Sequence, residues 1–485
     1  MNYNFLSRKK CSSRNCFNLN SKKYLFKDAA IPVISLYFLV FTCLQGCKKF
    51  VEVDPPKTQI TKDLVFTTDA TATSAIEGLY EQMMENIESI ANGGLTLYTG
   101  LSSDELVYYM TTPSYGEFYS NGLEPTNENL KSNLWGPSYN YIYQANSIIE
   151  GLSKSTTVSV TLKQQLIGEA KFIRAFYYFY LTNLWGDVPL IISTDYLINS
   201  KAGRIQQNEI YDQIIADLTD AKSLLSSDYS FSNGERIRPT QWAAIALLAR
   251  VYLYIGDWTN AEAQSSLLIN NTNFFSLADL NDVFLKNSNE AIWQLLPVVP
   301  DVNTGEGYMF AQTDGIPTYA GVSDNLLAVF EAGDNRKTSW IYSYSSDNQN
   351  YNVPFKYKLQ FSPSQDEYNT VLRLAEQYLI RAEARAEQNN ILGAQSDLNT
   401  IRNRAGLSNT LAGNKEELLL AIGHERQVEL FAEWGHRWLD LKRTHQADII
   451  LGPLKRANWQ STDSLYPIPQ YEIDNDPNLT QNAGY

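Results

Sequence analysis

Two tyrosine-rich stretches of the chain carry the residue types that bind sugar rings. Saccharide binding requires flat apolar faces for the C–H side of the ring, and amide or carboxylate groups for its hydroxyls. Tyrosine and tryptophan combine a large, rigid ring with a polar tip. The candidate ligand-binding residues are Tyr108, Tyr109, Tyr115 and Tyr119, near Asn121, and Trp340, Tyr342 and Tyr344, near Asp347 and Asn348. Any single ring could instead pack a loop onto the rest of the protein, so the group as a whole is the candidate site.

Carboxylates near the tyrosines define the catalytic alternative, a glycosidase. Such enzymes hold two carboxyl groups about 5 to 10 Å apart across a cleft. The carboxylates in these stretches are Asp104, Glu105, Glu117 and Asp347. Asp104 and Glu105 follow Ser103 and equally suit a helix cap. An acidic protein offers such residues without any catalytic role, so no catalytic residue is assigned.

The histidines and the acids around them predict ion pairing and no metal site. The chain contains three histidines, His424, His436 and His445. They lack the H-E-x-x-H spacing and have no cysteine nearby, so neither a metal site nor a cofactor is expected. Glu425, Glu429 and Glu433 recur at four-residue intervals, on one predicted helix with His424 and His436. We expect these glutamates to form buried ion pairs between helices.

The elements that must position these residues are mostly helices. The clearest is GEAKFIRAFYYFYLTNLWGDVPL, residues 168–190, in which aromatic and small residues recur at three- and four-residue spacing until Gly186 ends the helix. Its aromatic stripe is expected to pack in the core and not to hold a cofactor. Further helices are predicted within residues 69–90, 134–152 and 422–443.

Residues 238–269 and 372–407 have the spacing of tetratricopeptide units, in which large and small side chains interlock two helices around a turn. With the other helices they predict about four stacked pairs. Residues 93–133 and 271–370 lack helical periodicity and are predicted to be irregular, the second with short strands. Prolines argue against a helix in 465–485. The predicted fold is mainly α, with tetratricopeptide-like helical pairs forming a curved scaffold and an irregular loop-and-short-strand ligand-binding lobe.

The first 46 residues read as a targeting segment. A basic lead precedes an apolar run at residues 29–43, which is too short for a confident membrane span. The run ends in Leu44-Gln45-Gly46-Cys47, which looks like a bacterial lipobox. Cys47 is therefore predicted to carry the lipid, and acyl chains would anchor the protein to a membrane without a spanning helix. The alternatives are a short transmembrane anchor or a buried helix.

Length, charge and cysteine content narrow the class of protein further. A chain of 485 residues is long enough for a large core, and its formal net charge of −14 makes nucleic acid an unsuitable partner. All four cysteines, Cys11, Cys16, Cys43 and Cys47, lie in the first tenth of the chain. A disulfide framework is therefore excluded for the remainder.

Six motifs in order resemble the SusD/RagB family of nutrient-binding lipoproteins. They are the lipid exit at Cys47, the stretch from Gly168, the repeat from Arg238, Lys356-Tyr357 leading to Arg373-Leu374-Ala375-Glu376, His424-Glu425-Arg426 leading to Gly435-His436-Arg437-Trp438, and Tyr466-Pro467-Ile468-Pro469. The match runs nearly end to end after the leader. It divides the chain into a signal peptide at 1–46, a SusD-like N-terminal region at 47–270 and a RagB/SusD C-terminal region at 271–485.

The resemblance implies a surface lipoprotein of the outer membrane, facing the cell exterior and held over a SusC-like TonB-dependent transporter. Such proteins bind and are not known for catalysis. The expected ligand is an oligosaccharide or polysaccharide nutrient that is delivered for uptake. Two alternatives stay open, a peptide-capturing protein of the RagB type and a helical interaction scaffold. The scaffold motifs do not distinguish among these ligands.

Overall fold

Helices form the larger part of the structure, a computed structural model that describes residues Lys62–Tyr485. In the first part of the chain they are α1 (Lys62–Val65), α2 (Asp69–Glu85), α3 (Leu95–Ser102), α4 (Pro113–Ser120), α5 (Gly136–Lys154), α6 (Val160–Trp185), α7 (Tyr196–Asn199), α8 (Gln207–Leu224), α9 (Gln241–Tyr254) and α10 (Trp258–Ile269). In the second part they are α11 (Gly305–Phe310), α12 (Asp324–Val329), α13 (Asn335–Trp340), α14 (Leu374–Glu387), α15 (Ile391–Arg404), α16 (Lys415–Glu429), α17 (His436–Arg443), α18 (Ala447–Lys455) and α19 (Gln470–Asn475). A single π-helical turn at Leu130–Trp135 precedes α5, whereas Ile90–Gly94, before α3, contains a kink at which Asn92 and Gly93 leave helical geometry.

Four helical pairs stack in chain order. They are α2 with α5, α6 with α8, α9 with α10, and α14 with α15, and α16 packs against the last pair. Adjacent pairs join where α5 meets α6, α8 meets α9, and α10 meets α14. Each pair buries its apolar faces against its neighbours, as in helical-repeat proteins. The arrangement confirms the predicted mainly α fold, and Lys62–Tyr485 forms one compact unit. The division at residue 270 stays a prediction.

Helix α6 lies at the centre of this stack. From Phe172 to Leu181 every side chain is buried, because α5, α8 and strand β4 (Ala291–Leu295) surround the helix. Its rings meet others edge to face, as Phe176 does with Trp293 at a centroid distance of 5.5 Å. Gly186 takes a φ of +74° and ends the helix. The aromatic stripe is core, as predicted.

Short strands connect the helices, and five of the eight in the described residues lie in the second part of the chain, where the helical periodicity fails. With β4, the strands are β1 (Leu106–Val107), β2 (Val188–Pro189), β3 (Arg204–Ile205), β5 (Gly321–Val322), β6 (Ile341–Ser346), β7 (Gln349–Pro354) and β8 (Asn369–Arg373). They pair antiparallel as β1–β5, β2–β3, β4–β8 and β6–β7. Strands β6 and β7 form a hairpin whose turn residues, Asp347 and Asn348, both have positive φ. This lobe confirms the prediction of loops and short strands.

The prediction that residues 93–133 are irregular is wrong. Helices α3 and α4 and a π-helical turn occupy much of this segment. All eight residues of α3, LTLYTGLS, are buried. A sequence rich in threonine, glycine and serine has weak helix propensity, and here tertiary packing overrides that preference.

Two other boundaries differ from prediction. The helix expected over residues 422–443 breaks between α16 and α17, where Ala432, Trp434 and Gly435 all have positive φ, so His424 and His436 lie on different helices. Helix α19 lies in a segment predicted to lack helices. Pro469 occupies its N-cap, where a missing amide proton costs nothing, and Pro477 follows its last residue, so the prolines flank the helix and do not interrupt it.

A buried ionic cluster joins the lobe to the last helical pairs. The acids are Asp334, Glu290, Glu425, Glu429 and Glu433, and their basic partners are Arg336, Lys356, Arg373 and Arg404. Arg336 Nη1 lies 2.6 Å from Glu425 Oε1. Arg373 Nε lies 2.7 Å from Glu433 Oε2. The expectation that these glutamates form buried ion pairs is therefore confirmed, although Glu433 lies beyond the end of α16.

Candidate functional site

The residues that the sequence predicts to bind ligand fall into two groups in the structure. The division lies at Tyr108 and Tyr109, directly after strand β1. Side chains along an extended segment point alternately to opposite sides. Tyr108 packs against Tyr115, with ring centroids 5.6 Å apart. Its neighbour Tyr109 instead packs against Tyr351 of β7, at 5.2 Å. The four tyrosines of the first stretch thus do not share one surface.

The first part of the site is a connected series of rings. Tyr115 stacks on Tyr98 at 6.2 Å and meets Tyr319 edge-on, also at 6.2 Å. Tyr319 contacts Tyr308 at 6.1 Å, and Tyr308 contacts Phe361 at 5.5 Å. Tyr98 is fully buried, Tyr115, Tyr308 and Tyr319 are half-buried, and Phe361 is 64% exposed. The exposed faces of these rings, which come from α4, α11 and two loops, form the Glu88 surface, named after the carboxylate at its centre.

Glu88 accepts hydrogen bonds from two of the tyrosines. The hydroxyl of Tyr115 donates to Glu88 Oε2 at 2.8 Å, and that of Tyr98 donates to the same oxygen at 3.0 Å. Burial and then the charge of Glu88 raise the pKa of Tyr319 and Tyr98. In Tyr115 the hydrogen bond to Glu88 adds to burial and also raises the pKa. Glu88 itself is half-buried.

The loop that presents Glu88 is held rigidly. Glu88 has a φ of +76°, an uncommon conformation for a side chain of this kind. Its amide donates to the carbonyl of Asn92 at 3.0 Å. Asn92 in turn donates from its side chain to the Met84 carbonyl and accepts from the Gly305 amide, each at 2.8 Å. These bonds connect the loop to α2 and α11, so the carboxylate position is built into the fold.

The second part of the site lies on the β6–β7 hairpin. Tyr342 and Tyr344 occupy the same face two residues apart, with ring centroids 6.1 Å apart and nearly parallel. Tyr344 packs against Tyr351 at 5.6 Å, and Tyr351 against Tyr109. Tyr109 and Tyr342 are 38% and 37% exposed. Three of the predicted residues therefore come together, joined by a fourth ring, Tyr351, that the sequence analysis did not select.

Tyr109 also lines a small cleft on its other side. The cleft has a volume of about 280 Å³ and is lined by Tyr119, Asp104, Asp324 and Lys455, among others. The ammonium group of Lys455 donates to the backbone carbonyls of Leu101 and Tyr119. It lies 4.5 Å from the centre of the Tyr119 ring. The cleft is thus polar, with two acids and one lysine.

The prediction that Trp340 contacts ligand is wrong for this structure. Its side chain is 0% exposed, and its indole nitrogen donates to the Leu280 carbonyl at 2.8 Å. The ring packs against Phe284 and Phe431 in a separate core cluster. Its burial follows from its position at the end of α13, directly before the strand that carries Tyr342 and Tyr344. Tyr108 is also almost wholly buried and supports the site from below.

The four carboxylates considered for glycosidase chemistry have separate surroundings. Arg437 holds Asp104 through two hydrogen bonds of 2.7 Å. Glu105 is buried, and burial together with the charge of Asp104 raises its pKa to about 8. Glu117 accepts from Asn127 at 2.6 Å, and Asp347 lies in the hairpin turn. Ser103 follows α3 at its C-terminal end, so no helix begins at Asp104.

One group of acids and a histidine has the proximity of metal ligands. Potential ligand atoms of Glu331, His424 and Glu425 lie within 4.8 Å of one another. Arg402 occupies this place, donating to Glu331 at 2.6 and 3.0 Å and to Glu425 at 3.3 Å. His424 Nε2 lies 2.7 Å from the carbonyl of Val329. With a guanidinium between the carboxylates, the group is an ion-pair site.

Sequence reasoning missed the centre of the Glu88 surface. Tyr308 and Tyr319 lie in the irregular stretch at 271–370 but were not among the selected candidates. No sequence pattern around Phe361 indicated that it belongs to the site. Glu88 falls at the end of the helix predicted over 69–90, where nothing in its neighbourhood indicates a left-handed residue. Only the excess of tyrosines in the loops indicated that such a surface exists.

The fold and the site together define a helical-repeat protein with a partly exposed aromatic surface, the class of a binding protein. Residues 49–253 match the family model described as starch-binding and associating with the outer membrane, and residues 318–485 match the model of the SusD family. The chain belongs to the SusD/RagB family, as its motifs indicated.

Known relatives agree with this assignment over most of their length. The SusD-like protein P38 of Formosa agariphila is 25% identical to this chain, over 93% of the chain and 99% of that protein. A SusD superfamily protein from Bacteroides vulgatus has a similar solved structure, with a TM-score of 0.74 at 22% identity, covering 86% of this chain and 99% of that one. A laminarin-binding SusD-like protein has a TM-score of 0.72 at 23% identity, covering 87% and 100%. None of these descriptions names a catalytic activity.

The membrane-related predictions are tested only in part. The description of the matched family refers to association with the outer membrane. Among the helices of residues Lys62–Tyr485, none combines the length and apolar character that crossing a membrane requires. Cys47 and the leader lie outside the described residues, so the predicted lipid attachment stays a prediction.

Proposed function

We propose that this protein captures a glycan on its aromatic surfaces and delivers it to a SusC-like TonB-dependent transporter. The observation that carries the proposal is the connected set of half-exposed rings around Glu88, together with the hairpin rings. Exposed aromatic faces stack on the apolar side of sugar rings, and adjacent carboxylate and hydroxyl groups can hydrogen-bond the sugar hydroxyls. Family membership supports the same conclusion, because the matched family model is described as starch-binding.

The structure of the rings suits an extended ligand. The rings on the Glu88 surface follow one another at 5.5–6.2 Å from Tyr98 to Phe361. Fully buried residues pack beneath these rings, and hydrogen bonds hold the loop that carries Glu88 in place. Such preorganisation reduces the entropy lost on binding. We propose these rings as the main ligand surface, with Tyr109, Tyr342 and Tyr344 as a second one.

The cellular part of the proposal rests on the leader and on the family. Lipid on Cys47 would hold the mature protein at the outer membrane, facing the cell exterior. The helical pairs would supply a rigid body and a docking surface for the transporter. Binding would then be followed by import, with no bond in the ligand broken by this protein.

Calorimetric titration tests glycan capture directly. Protein beginning at Phe50 is titrated with a panel of soluble polysaccharides that includes laminarin, starch and xylan, and with mixed peptides. Removing one stacking ring costs about 0.5–1.5 kcal/mol, so Tyr319→Ala and Phe361→Ala should each weaken binding about 2- to 12-fold. Tyr196→Ala is the matched control, because Tyr196 is 76% exposed on α7 and outside both ring series.

The outcomes distinguish the proposal from its alternatives. Binding to one glycan class that both site variants weaken and the control does not would support capture at the Glu88 surface. Binding of peptides alone would assign the chain to the peptide-capturing type. Binding that all three variants leave unchanged would contradict the location of the site.

A further inference from the structure

Glu88 determines the direction of the hydrogen bonds on the surface that bears its name. A tyrosine hydroxyl has one proton to donate and lone pairs with which to accept. Tyr115 and Tyr98 both use that proton to donate a hydrogen bond to Glu88 Oε2, at 2.8 and 3.0 Å. The hydroxyl of the half-buried Tyr115 can then only accept from a ligand, and the carboxylate of Glu88 can only accept as well. A ligand at this point must supply hydrogen-bond donors.

The charged groups around the rings also favour a ligand that supplies hydrogen-bond donors. Glu88 raises the pKa of Tyr98, Tyr115 and Tyr319, Asp324 raises that of Tyr109, and Asp314 raises that of Tyr344, in each case after burial. The charged side chains with the largest effect on these five pKa values are all acidic. The nearby Lys455 faces the small cleft, where backbone carbonyls accept two of its hydrogen bonds.

The carboxylate cannot easily move away from an incoming ligand. The positive φ of Glu88 and the hydrogen bond from its amide to Asn92 fix the backbone. Two tyrosine hydroxyls hold the side chain. An incoming carboxylate or sulfate would therefore meet a fixed carboxylate group, and charges of like sign repel one another.

We infer that the Glu88 surface selects neutral saccharides, whose hydroxyls donate to Glu88 and Tyr115, and excludes glycans that carry carboxylate or sulfate groups. This inference rests on the proposed glycan capture and adds to it the chemical class of the ligand. Aromatic stacking supplies affinity for any sugar ring, and the acceptor-only centre decides between neutral and anionic rings. Glu88 is then a specificity-determining residue.

Matched pairs of polysaccharides test the inference whichever glycosidic linkage the protein binds. The pairs are hydroxyethyl cellulose with carboxymethyl cellulose, pullulan with carboxymethyl pullulan, and laminarin with sulfated laminarin. In affinity electrophoresis or titration at 20 mM salt, the neutral member of any pair that binds should bind at least about tenfold more tightly. Glu88→Gln should reduce this ratio about fivefold or more, because the amide carries no charge and can donate. Glu416→Gln, on an exposed part of α16, is the matched control.

A second measurement needs no variant. Raising the salt from 20 to 500 mM shortens the screening length to a few ångströms, so the ratio of the wild-type protein should fall. If the protein binds no polysaccharide, the proposed function itself fails. If it binds anionic and neutral members equally, or if Glu88→Gln leaves the ratio unchanged, glycan capture stands and the inference about Glu88 is overturned, whatever the effect of salt, because the whole chain is acidic.

Discussion

Glu429 is the residue whose replacement should most weaken the attachment of the lobe to the helical pairs. Its side chain is 0% exposed. Arg373 donates to Oε1 at 2.6 Å and Arg336 to Oε2 at 3.0 Å, and Arg404 donates to Oε1 as well. The three arginines belong to β8, α13 and α15. One carboxylate thus joins three elements that are distant in sequence.

The size of the effect can be worked out from these contacts. Hydrogen bonds to charged groups contribute about 1.5–3 kcal/mol each, so three represent a gross loss of several kcal/mol. Part of the loss is offset, because Glu290 still pairs with Arg373 and Arg404, and Asp334 still pairs with Arg336. Glu429→Gln keeps one acceptor oxygen but turns an amide donor toward a guanidinium group. We expect a decrease of about 3–5 kcal/mol in the free energy of unfolding, the range for breaking a buried ion pair.

Urea unfolding followed by tryptophan fluorescence measures this change. Glu416→Gln on the same helix should change stability by less than about 0.5 kcal/mol. Burial would raise the pKa of Glu429, but Arg404, Arg373 and Arg336 hold that pKa well below its usual range. A depressed pKa contributes stability that is full above the unfolded value of about 4.3 and is lost progressively as the pH falls from there through the folded value. The deficit should therefore be full at pH 7 and shrink as the pH falls below about 4. A deficit below about 1 kcal/mol would refute the reasoning.

Three other predictions concern a buried acid and two glycines. Burial raises the pKa of Glu306 to about 7, so the folded state retains its proton below that pH, and the contribution of this residue to stability should be greatest below pH 4.5 and decrease by about 3 kcal/mol as the pH rises through 7. Glu306→Gln should flatten that dependence in thermal unfolding at pH 5 and 8, and an unchanged slope would contradict the assignment. A Cβ on Gly94 would lie 1.9 Å from the Glu88 carbonyl oxygen, so Gly94→Ala should both destabilise the fold and weaken glycan binding. At Gly78 in α2 a Cβ meets no heavy atom of the described residues within 4 Å, so Gly78→Ala should instead stabilise by about 0.5–1 kcal/mol.

Much of the helical scaffold can be predicted from the spacing of apolar and turn residues along the sequence. Helices α6, α9, α10, α14 and α15 agree with prediction because their apolar periodicity and their turn residues act over a few neighbouring positions. The segments that were predicted wrongly depend on distant partners. Helix α3 forms because its surroundings bury it completely, and the break after α16 depends on positive φ at Ala432 and Trp434.

The candidate site divides in the same way. Tyrosine enrichment in the irregular stretches correctly indicated an aromatic surface, and Tyr342 and Tyr344 share a face because they lie two residues apart in a strand. Trp340 is also aromatic and lies two residues before Tyr342, but its side chain is buried because it ends a helix and packs in a core cluster. The pairing of Tyr115 with Tyr319 joins α4 to a loop about two hundred positions later.

The sequence alone determined the family, the helical pairs and the chemical character of the ligand surface, because each depends on residue types and short-range spacing. Tertiary structure alone decided which rings are exposed and that Glu88 lies among them. Exposure and hydrogen-bond partners depend on what a residue meets across the fold. Glu88 meets Tyr98, Tyr115 and Tyr319 only because a left-handed turn directs its side chain toward them.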